Sequence, residues 1–226
     1  MMTKEERRDL QTTLAAFPKG LREETEGLSF EQMTYAAQEP GWARWSIDNH
    51  IRHVTQIPAN WLYVRTQEAL SAVGYFFPPT AEAIAQVRRS GPRLVPPHIA
   101  PSRRTLLDIL TTWMIFCCWI LDREDDEGLK NIQVHLRVDP DEKRPDDPKK
   151  TVEYTRDAAA LHSTGYVEDP QEPGHFSVEL GTVLHHIHWN MLAHHRNIQR
   201  IKTLLGLPEV VDLPRVGYLS LPEYYD

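Results

Sequence analysis

Apolar residues recur along the chain at helical spacing in four long stretches. Leu10, Leu14, Phe17, Leu21 and Leu28, with Thr25 filling the gap, predict a helix from about Thr3 to Glu26, which Pro18 would kink or divide. Gly27 closes it, and Ser29 caps a short piece within Leu28 to Ala37. Pro40 and Gly41 punctuate a turn over Gln38 to Trp42. Ser46 is an N-cap with Trp45 before it as a staple, and Ile47, Ile51, Val54, Ile57, Trp61, Leu62 and Val64 mark the second core face. His50 and His53 lie one turn apart on or beside that face, which bends at Pro58 and continues to about Leu70. Thr80 can cap a short helix from Ala81 to Arg89, and a proline-rich loop spans Gly91 to Pro101.

Ser102 opens the third long helix. Leu106, Leu110, Trp113, Cys117 and Ile120 form one apolar row, with Leu107, Met114 and Leu121 beside it, a face wide enough for a central bundle helix. It runs into the acidic stretch Asp122 to Glu127, a solvated helix end or a cation site. Consecutive carboxylates cannot all face one ion. Between 128 and 180 the period changes to two: Ile132, Val134, Leu136 and Val138 predict a half-buried strand, and Val152 with Tyr154 and Phe176 with Val178 and Leu180 its weaker partners. This segment is a small β insertion, with the charged loop PDEKRPDDPKK inside it. The last stripe is Leu184, Ile187, Met191, His194, Ile198, Ile201 and Leu205, ended by Gly206 and Pro208. His194 therefore falls on a buried face, with Asn190 one turn before it and His186 a turn earlier. His185, His186, His188 and His195, also on this helix, are expected to be exposed or singly hydrogen-bonded. The tail, 207–226, has little helical pattern and is expected to wrap against the bundle or a neighbour.

One domain, 1–226, accommodates all of this. The 32 acidic against 25 basic residues give a net charge of −7, and no basic run appears, which argues against a nucleic-acid or anionic-membrane surface. Cys117 and Cys118 adjoin in an apolar run and are expected to be buried, inert thiols. The N-terminus is charged, and the longest apolar run, Trp113 to Leu121, is far short of the roughly 20 residues of a membrane span, so a cytoplasmic location without membrane contact is expected. Nucleophilic-serine, phosphate-loop and paired-carboxylate motifs are absent.

LAAFPKGL, EGLSFEQM, ARWSIDNHIRHV and the final HHIHWNMLAHHRNIQRIKTLLG together resemble the DinB-like superfamily, which includes the YfiT-type proteins. Trp45, Ser46 and His53 carry one part of the likeness. His194 carries the other, followed by Ile198, Ile201, Leu205 and Gly206 at four, seven, eleven and twelve residues. About 90 residues are covered. The resemblance implies an all-α, up-and-down four-helix bundle with the β insertion between helices three and four. It also implies one divalent metal, zinc, nickel or iron, held by His53, position 190 and His194. Position 190 is Asn190 here, where the family has histidine, and an amide oxygen is a poorer ligand than imidazole for these ions. His50 or His186 could complete the set instead.

An ion with few protein ligands lowers the pKa of a bound thiol or water and presents it as a nucleophile. By resemblance, the chain would activate a low-molecular-weight thiol and transfer it to an electrophile, as an S-transferase-type enzyme, or act as a hydrolase. Trp42, Trp45, Trp61 and Trp189 could line the small-molecule pocket or simply be core. The alternative is a non-catalytic ligand-binding or structural bundle with a degenerate metal site, whose tail and insertion serve a homodimer.

Overall fold

A computed structural model describes residues 2–37, 41–90, 93–142 and 150–224, with backbone alone at 41–42 and 88–90. The N-caps set the helix starts. Thr3 opens α1 (Lys4–Thr25) with a reciprocal capping box to Glu6, and Ser29 opens α2 (Phe30–Thr34) in the same way with Gln32. Pro18 lies inside α1 and does not divide it, which removes one of the two effects expected of the proline. Of the expected turn over 38–42, residues 38–40 lie outside the described residues, and Gly41–Arg44 is a 3-10 turn. Ser46 accepts from the Asn49 amide at 3.2 Å and opens α3 (Ile47–Pro58).

The helical path continues past Pro58, but as a widened π-helical turn over Ala59–Val64, followed by α4 (Gln67–Ala72). The Thr66 hydroxyl donates to the Leu62 carbonyl at 2.5 Å and ties the end of this turn. Next come α5 (Ala81–Ser90), α6 (Arg103–Arg123, capped by Ser102) and α7 (Asp126–Asn131). The acidic stretch between α6 and α7 is tied to protein donors. Asp125 caps α7, Arg7 reaches Asp126 at 2.6 Å, Gln11 reaches Asp122 at 2.6 Å and the Tyr75 hydroxyl donates to Glu124 at 2.7 Å.

Three strands, β1 (Gln133–Arg137), β2 (Tyr166–Glu168) and β3 (His175–Glu179), form an antiparallel sheet in the order β1–β3–β2, with Val178 opposite both Val134 and Tyr166. Val152 and Tyr154 are not strand residues. They lie in α8 (Thr151–Ala160), where Val152 and Ala158 turn inward and an alanine run favours helix. Most of the charged loop before α8, 143–149, lies outside the described residues, as do 91–92 of the proline-rich loop. β3 passes directly into α9 (Leu180–Leu204), which begins four residues before the expected start.

The architecture is mostly helical with this one small sheet. α1 and α3 each pack on both α6 and α9. The core between them holds Leu14, Leu21, Ile51, Trp113, Met114, Ile187 and Met191, and Val134, Phe176 and Val178 of the sheet belong to the same cluster. By length and composition α6 would reach across a bilayer, yet 56% of its most apolar window is buried, as in a central core helix. Cys117 is buried and Cys118 half-buried, and burial pushes both thiols above the usual thiol range.

Candidate functional site

Three imidazoles meet where α3 faces α9. His50 and His53 project from successive turns of α3, and His194 reaches them from α9. The His50 and His194 Nδ1 atoms are 2.9 Å apart, so one ring donates to the other. The His53 and His194 ring centroids are 4.5 Å apart. His53 donates from Nδ1 to the Arg93 carbonyl at 2.6 Å, which leaves the lone pair of the neutral ring on Nε2. Trp45 sits where a staple residue packs on the fourth position of the helix, and that position is His50, at 5.6 Å. Its indole also stacks on His194 at 5.8 Å and meets His53 edge-on at 5.0 Å. Burial, and then the neighbouring His53 and His50, depress the His194 pKa well below the usual histidine range, so the ring is neutral at pH 7.

A cleft of about 150 Å³ adjoins this cluster. His53 and Gln56 line it from α3, Asn60, Trp61 and Arg65 from the π-helical turn and its end, and His186 and Asn190 from α9. The π turn therefore has a consequence here, since it carries Asn60 and Trp61 to the cleft wall. The Arg65 guanidinium lies 4.2 Å from the Trp61 ring centre. Gln56 is 2% exposed, and its Nε2 has no hydrogen-bond partner.

The structure thus brings His53 and His194 together and adds His50. Asn190 lines the cleft with His53 one turn before His194. His186 is drawn elsewhere, to His162 Nε2 at 3.3 Å and the Tyr218 hydroxyl at 3.4 Å, with Trp61 against its ring. Burial lowers the His186 pKa to about 3 and that of His162 to about 4, the first helped by His162 and the second by His185. The expectation for the other α9 histidines, exposed or singly hydrogen-bonded, is corrected as to exposure at three positions. His186 and His188 are 5% exposed and His195 1%, because α9 is covered on nearly every side by α1, α3, the sheet and the tail. Of the tryptophans, Trp61 lines the cleft, Trp45 packs on the imidazoles, Trp189 stacks on His162 at 4.3 Å, and the Trp42 side chain lies outside the described residues.

A second polar cluster escaped the sequence reading. Glu24 of α1 is fully buried and forms an ion pair with Lys202. It also accepts from Gln199 Nε2 at 2.9 Å and from the Val211 amide at 3.0 Å, while His195 Nε2 stands 3.6 Å away, an ion-pair separation beyond a hydrogen bond. Burial alone would raise this carboxyl. The contacts from His195, Lys202, Gln199 and the Val211 amide outweigh it and hold the pKa well below the usual carboxylate range. The cluster pins the tail to the helices. Its signal was present as a polar row at helical spacing, His195, Gln199 and Lys202, opposite Glu24 in the register of Phe17 and Leu21.

Two nitrogens 2.9 Å apart match a shared proton, and they match two ligands about 2.1 Å from one ion only at the near-right angle of an octahedral site, since tetrahedral ligands stand about 3.4 Å apart. Imidazole nitrogen is a ligand type that suits zinc, nickel or iron, and burial keeps that of His194 unprotonated. Among the described residues no three His, Cys, Asp or Glu side chains form a group arranged to hold an ion. No family model, curated protein or solved structure matches the chain.

Proposed function

We propose that the chain is a DinB-like, up-and-down four-helix bundle that binds one divalent ion through His50, His53 and His194 and acts on a small molecule held in the adjoining cleft. The convergence of three imidazoles from α3 and α9 beside that cleft supports this above all. A bound zinc, nickel or iron ion would supply Lewis-acid activation of a low-molecular-weight thiol or of water, for transfer to an electrophile. The chain's own residues prepare the place. The Arg93 carbonyl fixes the His53 tautomer so that Nε2 is a donor of electrons, and burial keeps His194 unprotonated. Trp45 packs against all three rings. Asn60 and Asn190 offer amides to a substrate in the cleft.

The test is conjugation of small thiols to an aryl halide. Metal-loaded protein is expected to outpace chelated protein and the His50→Ala and His194→Ala variants, and equal rates in all four would overturn the catalytic role. One observation favours a non-catalytic binding bundle instead. The His50 to His194 contact is complete as an N–H···N hydrogen bond, and such a protein would bind its ligand in the cleft unchanged by chelation.

A further inference from the structure

The described lining of the cleft beside His53 contains no aspartate or glutamate, in a chain with 32 acidic residues. It contains two cations, Arg65 and Arg93, and the neutral donors of Gln56, Asn60 and Asn190. Such a bias in an acidic protein sets the sign of the ligand. Gln56 provides the second, independent observation. It lies one turn after His53 on α3, its side chain is almost wholly buried, and Nε2 has no protein acceptor. A buried donor left in this state costs about 1–3 kcal/mol unless something else accepts from it. Arg65 lies against Trp61, which confines its guanidinium beside His186 and lowers the conformational cost of using it. Trp61, Ile57, Leu136 and Val138 supply an apolar wall to the same space.

We propose that this cleft binds a small organic carboxylate with an apolar or aromatic body, the carboxylate accepting from Gln56 Nε2 and pairing with the arginines while the body lies along Trp61. A planar carboxylate matches both the amide and the guanidinium, whose donors are fixed in a plane. The inference rests on the proposed function for one point only, that the molecule in this cleft is the substrate. It deepens that proposal by making the electrophile or the thiol an anion.

Benzoate and benzamide, nearly equal in shape and different in charge, are suitable probes. Their binding to the full chain is measured by calorimetry, before and after chelation, in wild type and in the Gln56→Leu, Arg65→Gln, Arg65→Lys, Arg93→Gln and His194→Ala variants. Benzoate is expected to bind about tenfold more tightly than benzamide, as one charge-assisted contact gives. Gln56→Leu and Arg65→Gln should each remove most of that preference, Arg65→Lys should keep it, and chelation should leave it in place. Arg93→Gln, at an exposed position, tests the charge without disturbing the core. Equal binding of the two probes, or binding of neither, overturns the proposal. So does a benzoate preference that disappears on chelation and in His194→Ala but survives Gln56→Leu, because the anion would then be a ligand of the metal. A protein that takes up no added zinc, nickel or iron(II) yet still prefers benzoate would leave the carboxylate site standing and remove the metal centre.

Discussion

Glu24→Gln tests the buried cluster that fastens the tail to the helices. The substitution keeps the shape of the side chain and removes its charge. Lys202, 3% exposed and with its ammonium on the Glu24 carboxylate and carbonyl, is left as a buried cation without a counter-ion. Breaking a buried pair in this way costs about 3–5 kcal/mol. The new amide also turns a donor toward Lys202 or toward the Val210 and Val211 amides, which now donate to the carboxylate at 3.2 and 3.0 Å. About 4 kcal/mol is therefore expected, a large share of the stability of an ordinary domain. At this chain length that lowers the melting temperature by about 8–16 °C. Urea titrations followed by both circular dichroism and tryptophan fluorescence give the free energy and check that one transition is being observed. The companion variant is Lys202→Met. On its own it strands the carboxylate, and together with Glu24→Gln it removes both charges and should recover most of the loss. A cost below about 1 kcal/mol for Glu24→Gln, or a double variant no more stable than either single one, would refute the assignment of the pair as a structural unit.

Stability should fall with acid in two overlapping steps. His162 and His188, near 4, His186, near 3, and His194, lower than usual, are neutral when folded and titrate near 6.5 when unfolded. The unfolded chain therefore binds more protons below pH 6.5, and their contribution, complete above 6.5, is lost as pH falls toward 3. Glu24, depressed from 4.5, adds its own loss below 4.5. Acid unfolding followed by circular dichroism should begin near pH 6 and shift to lower pH in His186→Phe, and an unshifted midpoint would count against burial as the cause. Gly217→Ala is expected to cost about 2–3 kcal/mol, since Gly217 has φ of +53° and a methyl group there would run into the Trp189 ring. Faster proteolysis of the tail alongside a lower melting temperature checks this, and an unchanged melting temperature contradicts the tail packing.

Most helix starts were legible because each is written in a local signal. Ser29, Ser46 and Ser102 cap the helices assigned to them, and Thr3 opens α1. α8 was misread because Val152 and Tyr154 are two apart, and a strand period sampled over three residues cannot be told from one turn of helix. The alanines at 158–160 were the better guide. The meeting of His53 and His194 was legible through the resemblance, and His50 through its one-turn spacing from His53. The Glu24 and Lys202 pair was not, because it joins residues 178 apart and no local pattern states which polar rows will face each other. The π turn after Pro58 was also hidden. Proline announces a break in the hydrogen-bond ladder without saying how the chain will close it.

The most direct measurement is the metal content per chain, by elemental analysis of tag-free protein purified without chelator, beside His50→Ala, His53→Ala and His194→Ala variants. About one ion per wild-type chain, reduced in each variant while circular dichroism shows them folded, is the predicted result. No ion in the wild type, even after incubation with zinc, nickel and iron(II), would contradict a metal centre between α3 and α9 and leave the three imidazoles as a hydrogen-bonded core cluster.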